Sequence, residues 1–296
     1  MSDSLRVSSL STIEDLKREV TARGIELIEC VFCSPLGSWH HHTVHPQSID
    51  ERLLLKGLPF DGSSIRLFRD IDESDMLMVP DLSTAFIDPF RTNTLVLICS
   101  VKEPLSDEWY RRDSRVIAHK AVEYAKATGI ADETLFGPKS AFFVFDNVHY
   151  HVGTNSSAYC VDGVEGYWNS KKDQANMGHR PGPTSWYLST GPIDRLADVR
   201  SDILLTLLKV GIKASNHHHE VATSQCQVGF AASSLIRAAD EHMIFKHIVK
   251  NVAANHGKTA TFLPKPIYND NGSGMHIHQS LWKMGKPLFF GDGPAV

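Results

Sequence analysis

The chain has 296 residues, 42% of them hydrophobic and 22% charged, with a formal net charge of −4. That length accommodates one large core or two domains, and that charge leaves no electrostatic footprint for nucleic acid. No apolar run approaches the ~18 residues that span a bilayer, and the opening Met-Ser-Asp-Ser-Leu-Arg is not a secretory signal, so a cytoplasmic protein with neither membrane nor nucleic acid as partner is expected.

Residues 10–24 follow a helical period through Ile13, Leu16 and Val20, with Ser11 or Thr12 as cap. Residues 25–32 read as a strand, 35–38 as a turn and 39–44 as a second, alternating strand, and 76–79, 85–87 and 94–100 continue the β pattern. One helix with several short strands in ~100 residues indicates a small α+β domain, residues 1–104. After Glu103-Pro104-Leu105-Ser106 the pattern changes, and residues 105–296 form a second domain: helix over 113–128, strand over 141–148, helices over 196–210 and 233–255. The last is a core helix by its Ala238, Ile244, Phe245 and Ile248. Between 149 and 192 the chain is rich in Gly, Asn, Ser and Pro, which predicts extended loops.

Five cysteines, Cys30, Cys33, Cys99, Cys160 and Cys226, are too few, too scattered and odd in number for a disulfide framework. Cys30 and Cys33 have redox or zinc spacing but stand inside an apolar run, which favours a strand carrying two reduced thiols. His217-His218-His219 cannot chelate one ion together, because successive strand residues face opposite sides. The same reasoning makes His40-His41-His42 and His45 a solvated strand edge before it makes them a zinc or copper site.

Residues 258–280 combine a cation, flexible glycines and two alternating histidines. Gly272 and Gly274 let backbone N–H groups approach an anion closely. His276 and His278 share a face if 275–281 is a strand, so one imidazole can hold a metal while the other faces a phosphate. The ordered set Lys265-Pro266, Asn271-Gly272-Ser273-Gly274, His276 and Ser280 resembles the ATP-binding signature of the glutamine synthetase family. Three more segments stand in that family's order: Phe60-Asp61-Gly62-Ser63-Ser64 with Glu73-Ser74-Asp75-Met76-Leu77-Met78-Val79-Pro80-Asp81, then Asn176-Met177-Gly178-His179-Arg180-Pro181, then His217-His218-His219-Glu220-Val221-Ala222-Thr223.

The resemblance, to the type I-like enzymes, implies an α+β fold. A small β-grasp-like amino-terminal domain is followed by a glutamine synthetase-type catalytic domain, an antiparallel open barrel with helices, with the carboxy-terminal third of the family subunit missing. It implies ATP and Mg²⁺ or Mn²⁺ as cofactors, since the γ-phosphoryl group, its leaving group and the acceptor carboxylate are all anionic. Residue by residue, it makes Asp61 and Ser64 part of a catalytic loop that reaches a neighbouring subunit, Asn271 and Gly272 glutamate contacts, His278, Ser280 and Lys265 nucleotide contacts, and Glu220 and His276 metal ligands.

Three ligand positions depart from the family. Where the family reads Phe-Gly-Pro-Glu-Pro-Glu-Phe-Phe, this chain has Lys139, Ser140 and Ala141 in place of Glu-Pro-Glu, and a third glutamate is replaced by Gln227 after a one-residue deletion. The local charge rises by roughly four units, and charges a few ångströms apart interact by ~4 kcal/mol each at an effective dielectric near 20. Binding of metal and ATP is therefore expected to be weakened, with Lys139 standing in for a cation and pairing with Glu220. The expected protein is a degenerate homologue without ordinary glutamate–ammonia ligase activity, a binding, regulatory or assembly partner in a homo-oligomer or in a hetero-oligomer with an intact synthetase subunit or a completing chain. The alternatives are an active ATP-dependent amide-forming ligase, glutamine synthetase or a related carboxylate–amine ligase, with a reorganised site or a completing partner chain, and a His-based metalloenzyme using His276, His278, Glu220 or the histidine run.

Overall fold

A computed structural model describes residues 4–7, 10–71, 74–171 and 180–291. Helix α1 (Ile13–Arg23) starts at Thr12, whose hydroxyl accepts from the N–H of Asp15 while the Asp15 carboxylate accepts from the N–H of Thr12, 3.1 Å each. It stops at Gly24, left-handed at φ 61°. Strands β1 (Leu27–Cys33) and β2 (Trp39–Val44), helix α2 (Glu51–Lys56), and strands β3 (Leu58–Asp61), β4 (Asp75–Ile87) and β5 (Thr94–Lys102) follow. They form one sheet of order β2-β1-β5-β4-β3, in which β1 and β5 are parallel and the other pairs antiparallel.

Strand β5 is buried at all but its last residue, because both faces of this sheet are covered. Leu95, Leu97, Cys99 and Val101 pack with Leu16 and Phe68 in the amino-terminal core, while Val96 and Ile98 join Phe142, Ile203 and Phe245 of the second unit. Cys30 is buried and Cys33 half-buried at opposite faces of β1, free thiols as expected. The two segments expected at 76–79 and 85–87 are one strand, β4, whose register against β5 shifts between Asp81 and Phe86. There the Asp81 carboxylate accepts from the Ser83 N–H (3.0 Å) and hydroxyl (2.6 Å), a local turn that interrupts the alternation without ending the pairing.

The second unit comprises α3 (Ser114–Ala127), β6 (Glu133–Phe145), β7 (Asn147–Val152), β8 (Ser157–Asp162), α4 (Ala197–Lys209), β9 (Ala214–His219), β10 (Gln225–Phe230), β11 (Ser233–Ser234), α5 (Leu235–Asn255), β12 (Thr259–Thr261), β13 (Met275–Lys283) and β14 (Lys286–Pro287). Its main sheet runs β14-β13-β6-β10-β9, with β11 and β12 also on β6, and every pairing is antiparallel. Helices α4 and α5 cover one face through Ile203, Leu207, Phe245, Ile248 and Val249 against Phe142, Val144 and Val228. Strand β6 starts at Glu133, earlier than the expected 141, since Gly137 and Pro138 hide its pattern. Part of the expected loop at 149–192 is the β7–β8 hairpin, whose β7 residues are all exposed and so carry no apolar alternation.

The two units are joined by a buried ionic clamp. Arg115 of α3 donates to Asp240 of α5 (Nε to Oδ1, 3.0 Å), to Asp81 of β4 (Nη2 to Oδ2, 2.6 Å) and to the Ser100 hydroxyl of β5 (3.0 Å). Burial raises the Asp240 pKa above the ordinary carboxylate range, with Arg115 acting against it.

His242, on α5, is half-buried and holds a buried ring nitrogen. Its Nδ1 has no hydrogen-bond partner among the described residues, and burial, then Lys246, push its pKa down from 6.5 to about 4. The folded chain keeps this ring neutral where the unfolded chain takes up a proton. Its stabilising contribution is therefore complete above pH 6.5 and lost as pH falls towards 4, by about 3 kcal/mol. His242→Leu is expected to flatten the urea midpoint across that interval, and an unchanged slope would count against the buried neutral ring.

Candidate functional site

The site is assembled by strand register. Lys139 and Ala141, two apart on β6, share a face. Opposite Lys139 stands His276 of β13, opposite Ala141 stands Gln227 of β10, and opposite Gln227 stands His218 of β9. Glu220 lies two residues past His218, anchored by its N–H to the Gln225 carbonyl (2.8 Å). The turn behind it is held when the Thr223 N–H donates to Asp270 (3.0 Å), and the Gln225 amide donates to the Ser273 hydroxyl (3.3 Å).

The loop carrying Asn271 and Gly272 closes the other side. A Cβ at Gly272 would come within 2.7 Å of the Pro264 carbonyl oxygen, so the fold requires glycine there. Between these elements lies a cavity of about 260 Å³ that takes in Lys139, Ala141, Gln227, Glu220, His276, Asn271 and Gly272. Residues spread over more than a hundred positions thus meet in one chamber.

Within it, Lys139 and Glu220 do not form the direct ion pair expected of them. The Gln227 amide stands between; oriented as its two neighbours require, its nitrogen donates to Glu220 Oε1 and its oxygen accepts from Lys139 Nζ at 3.2 Å. Glu220 is also met by His218 Nε2 at 3.1 Å. Gln227 reaches this place because its strand position faces Ala141, whose methyl group leaves room for the amide. A divalent cation of the Mg²⁺ or Mn²⁺ kind takes six or more hard oxygen donors. One engaged carboxylate, one imidazole, a neutral amide and an ammonium do not fit it.

Other expected residues lie outside the cavity. Asp61 caps a short turn in the amino-terminal unit, accepting from the Ser63 N–H (2.8 Å) and from the hydroxyls of Ser63 (2.6 Å) and Ser64 (2.8 Å). Those bonds, the Ser63 hydroxyl first, hold its pKa below the usual carboxylate range. His278 and Ser280 continue the His276 face along β13, opposite Gly137 and Leu135, and Ser280 accepts from Trp282 Nε1 at 2.9 Å. Lys265 is exposed on the loop beside Gly272. Glu73 and Asn176-Met177-Gly178-His179 lie outside the described residues.

The three adjacent histidines diverge as expected. His217 Nδ1 accepts from Arg200 (3.3 Å), and its pKa is lowered by burial and then by Arg200. His218 serves Glu220, and His219 turns inward. There Glu165, Asp194 and His219 bring ligand-type atoms within 4.8 Å of one another. His219 Nε2 meets Glu165 Oε2 at 2.9 Å, its Nδ1 meets the Glu220 carbonyl at 2.7 Å, and Trp186 stacks on the ring at 5.0 Å. Glu165 also accepts from the Arg195 N–H (2.8 Å), and Asp194 pairs with Arg200. With its atoms bonded internally, the cluster positions the Glu220 backbone rather than offering open coordination. Sequence reasoning missed it, because its members have no characteristic spacing. In the amino-terminal sheet, His41 pairs with Glu29 on the edge strand β2, and His45 Nδ1 accepts from the Gln47 N–H (3.3 Å).

Comparison with known proteins accords with this architecture. The family model for the glutamine synthetase beta-Grasp domain matches residues 24–104, and that for the glutamine synthetase catalytic domain matches residues 111–295. A glutamine synthetase from Nostoc is 48% identical over 289 residues, covering 96% of this chain and 61% of the relative. One from Methylococcus capsulatus is 45% identical over 285 residues, covering 95% and 61%. The chain therefore spans about 61% of the length of these relatives. The cryo-EM structure of Plasmodium falciparum glutamine synthetase superposes with a TM-score of 0.89 at 28% identity, covering 98% of this chain and 57% of that one. A β-grasp domain followed by a catalytic domain of that kind, similar in sequence and in structure, means that the chain belongs to the glutamine synthetase family.

Proposed function

We propose that this chain is a degenerate glutamine synthetase homologue that does not carry out the ordinary ATP-dependent ligation of glutamate and ammonia, and acts as a binding, regulatory or assembly partner within a homo-oligomer or beside an intact synthetase subunit. The observation that carries this reading is the grouping of Lys139, Ala141 and Gln227 around Glu220 in one cavity. Ligation must bring an anionic phosphoryl donor against an anionic acceptor, which calls for divalent cations. An ammonium in the lining of that chamber opposes such ions by ~4 kcal/mol per close charge.

The remaining family positions keep roles that do not depend on the metals. Asn271 and Gly272 would contact a small substrate, His278, Ser280 and Lys265 a nucleotide bound weakly, and Asp61 and Ser64 a neighbouring subunit. The purified chain, given glutamate, ammonia, ATP and Mg²⁺ or Mn²⁺, is expected to yield neither glutamine nor ADP above the protein-free blank. A second reading, an amide-forming ligase completed by another chain, is favoured by the intact loop from Asn271 to His276. Glutamine formation that disappears in Glu220→Gln would establish it.

A further inference from the structure

We propose that the cavity is an anion site that works without a metal, in which the Lys139 ammonium binds a phosphate or carboxylate group directly. The proposal rests on the reading above, that no divalent cation occupies this place, and extends it to what does. Lys139 is half-buried and lines the cavity. Its ammonium has one hydrogen-bond acceptor, Gln227 Oε1 at 3.2 Å, and no carboxylate within ion-pair distance among the described residues. An ammonium carries three donors, so two remain for a ligand.

The neighbouring negative charge is already engaged. Glu220 lines the same cavity, but its Oε1 already receives the amide of Gln227 and the imidazole of His218, so it does not take up the remaining donors of Lys139. The opposite wall suits an anion for a separate reason. Gly272 and Gly274 have no side chains to obstruct it, and Asn271 and His276 add side-chain N–H groups that can donate. A volume of about 260 Å³ admits a small oxyanion with a short carrier, below the range of sites that enclose drug-sized ligands. A lysine is a compact point charge and takes phosphate or carboxylate alike, so the shared chemistry is a singly seated oxyanion.

The test is calorimetric titration of inorganic phosphate and, separately, of L-glutamate into the full chain in EDTA. Binding of either is expected, and the anion that binds identifies the source. Lys139→Met should weaken it roughly ten- to a hundredfold, the weight of a charged hydrogen bond, whereas Lys139→Arg should keep it within severalfold. Matching circular dichroism of the variants separates loss of the site from loss of fold. No binding of either anion in EDTA, or equal binding by Lys139→Met, overturns the anion site and leaves the absence of ligase activity standing. Binding that appears only on adding Mn²⁺ overturns the anion site and also removes the ground for that proposed function.

Discussion

Replacing Arg115 with leucine is expected to cost about 3–5 kcal/mol of stability at pH 7, because it strands two carboxylates at the junction of the two units. The Arg115 side chain is 8% exposed and that of Asp240 14%. Its guanidinium bridges α5, β4 and β5 at 2.6–3.0 Å. Burial works against the Arg115 charge, and Asp240 and Asp81 outweigh it, holding its pKa above the ordinary value. The Asp240 pKa is already raised by burial with the guanidinium present, and without it the rise is larger. A carboxyl group with a raised folded-state pKa binds its proton more tightly when folded, so the damage should shrink as pH falls towards 5. Urea unfolding at pH 7 and pH 5 reads both effects. Arg115→Leu combined with Asp240→Asn should recover part of the loss, since the two changes share one network. A loss below about 1 kcal/mol at pH 7 would mean that the clamp is a solvated surface pair.

Introducing three carboxylates, by Lys139→Glu, Ala141→Glu and Gln227→Glu together, is expected to give divalent-metal binding much tighter than that of the unaltered chain. Register places all three on the face that carries His276 and beside Glu220. Four carboxylates in one chamber of about 260 Å³ repel one another, by several kcal/mol at an effective dielectric near 20. In EDTA the variant should therefore unfold at a lower temperature than the parent. Mn²⁺ should reverse this, adding about 2.7 kcal/mol once the metal is a hundredfold above its Kd. Thermal unfolding with Mn²⁺ and with EDTA, together with metal content, measures the difference. If the unaltered chain is itself stabilised by Mn²⁺, and Glu220→Gln removes that response, the ammonium of Lys139 does not exclude the metal.

Much of this was legible in the residues. The four ordered segments from Phe60 to Ser280 identify the family without coordinates. That Lys139 and Ala141 stand side by side was also legible, because the strand period places alternate residues on one face. Helices α1, α3, α4 and α5 stand within a few residues of their expected bounds, since an amphipathic period survives any tertiary arrangement. The β7–β8 hairpin was not legible, because a strand exposed on both faces has no apolar alternation to read.

By itself, then, the sequence determined the family and the two-part α+β architecture, because these depend on residue identity, order and local period. The tertiary structure alone decided that Gln227 separates Lys139 from Glu220, that His219 turns inward to Glu165 and Asp194, and that Arg115 joins α5 to the amino-terminal sheet. Each of these joins residues far apart in the chain. Which side chains touch there is set by strand register and helix packing, and both are fixed by the burial of the shared core rather than by any local pattern.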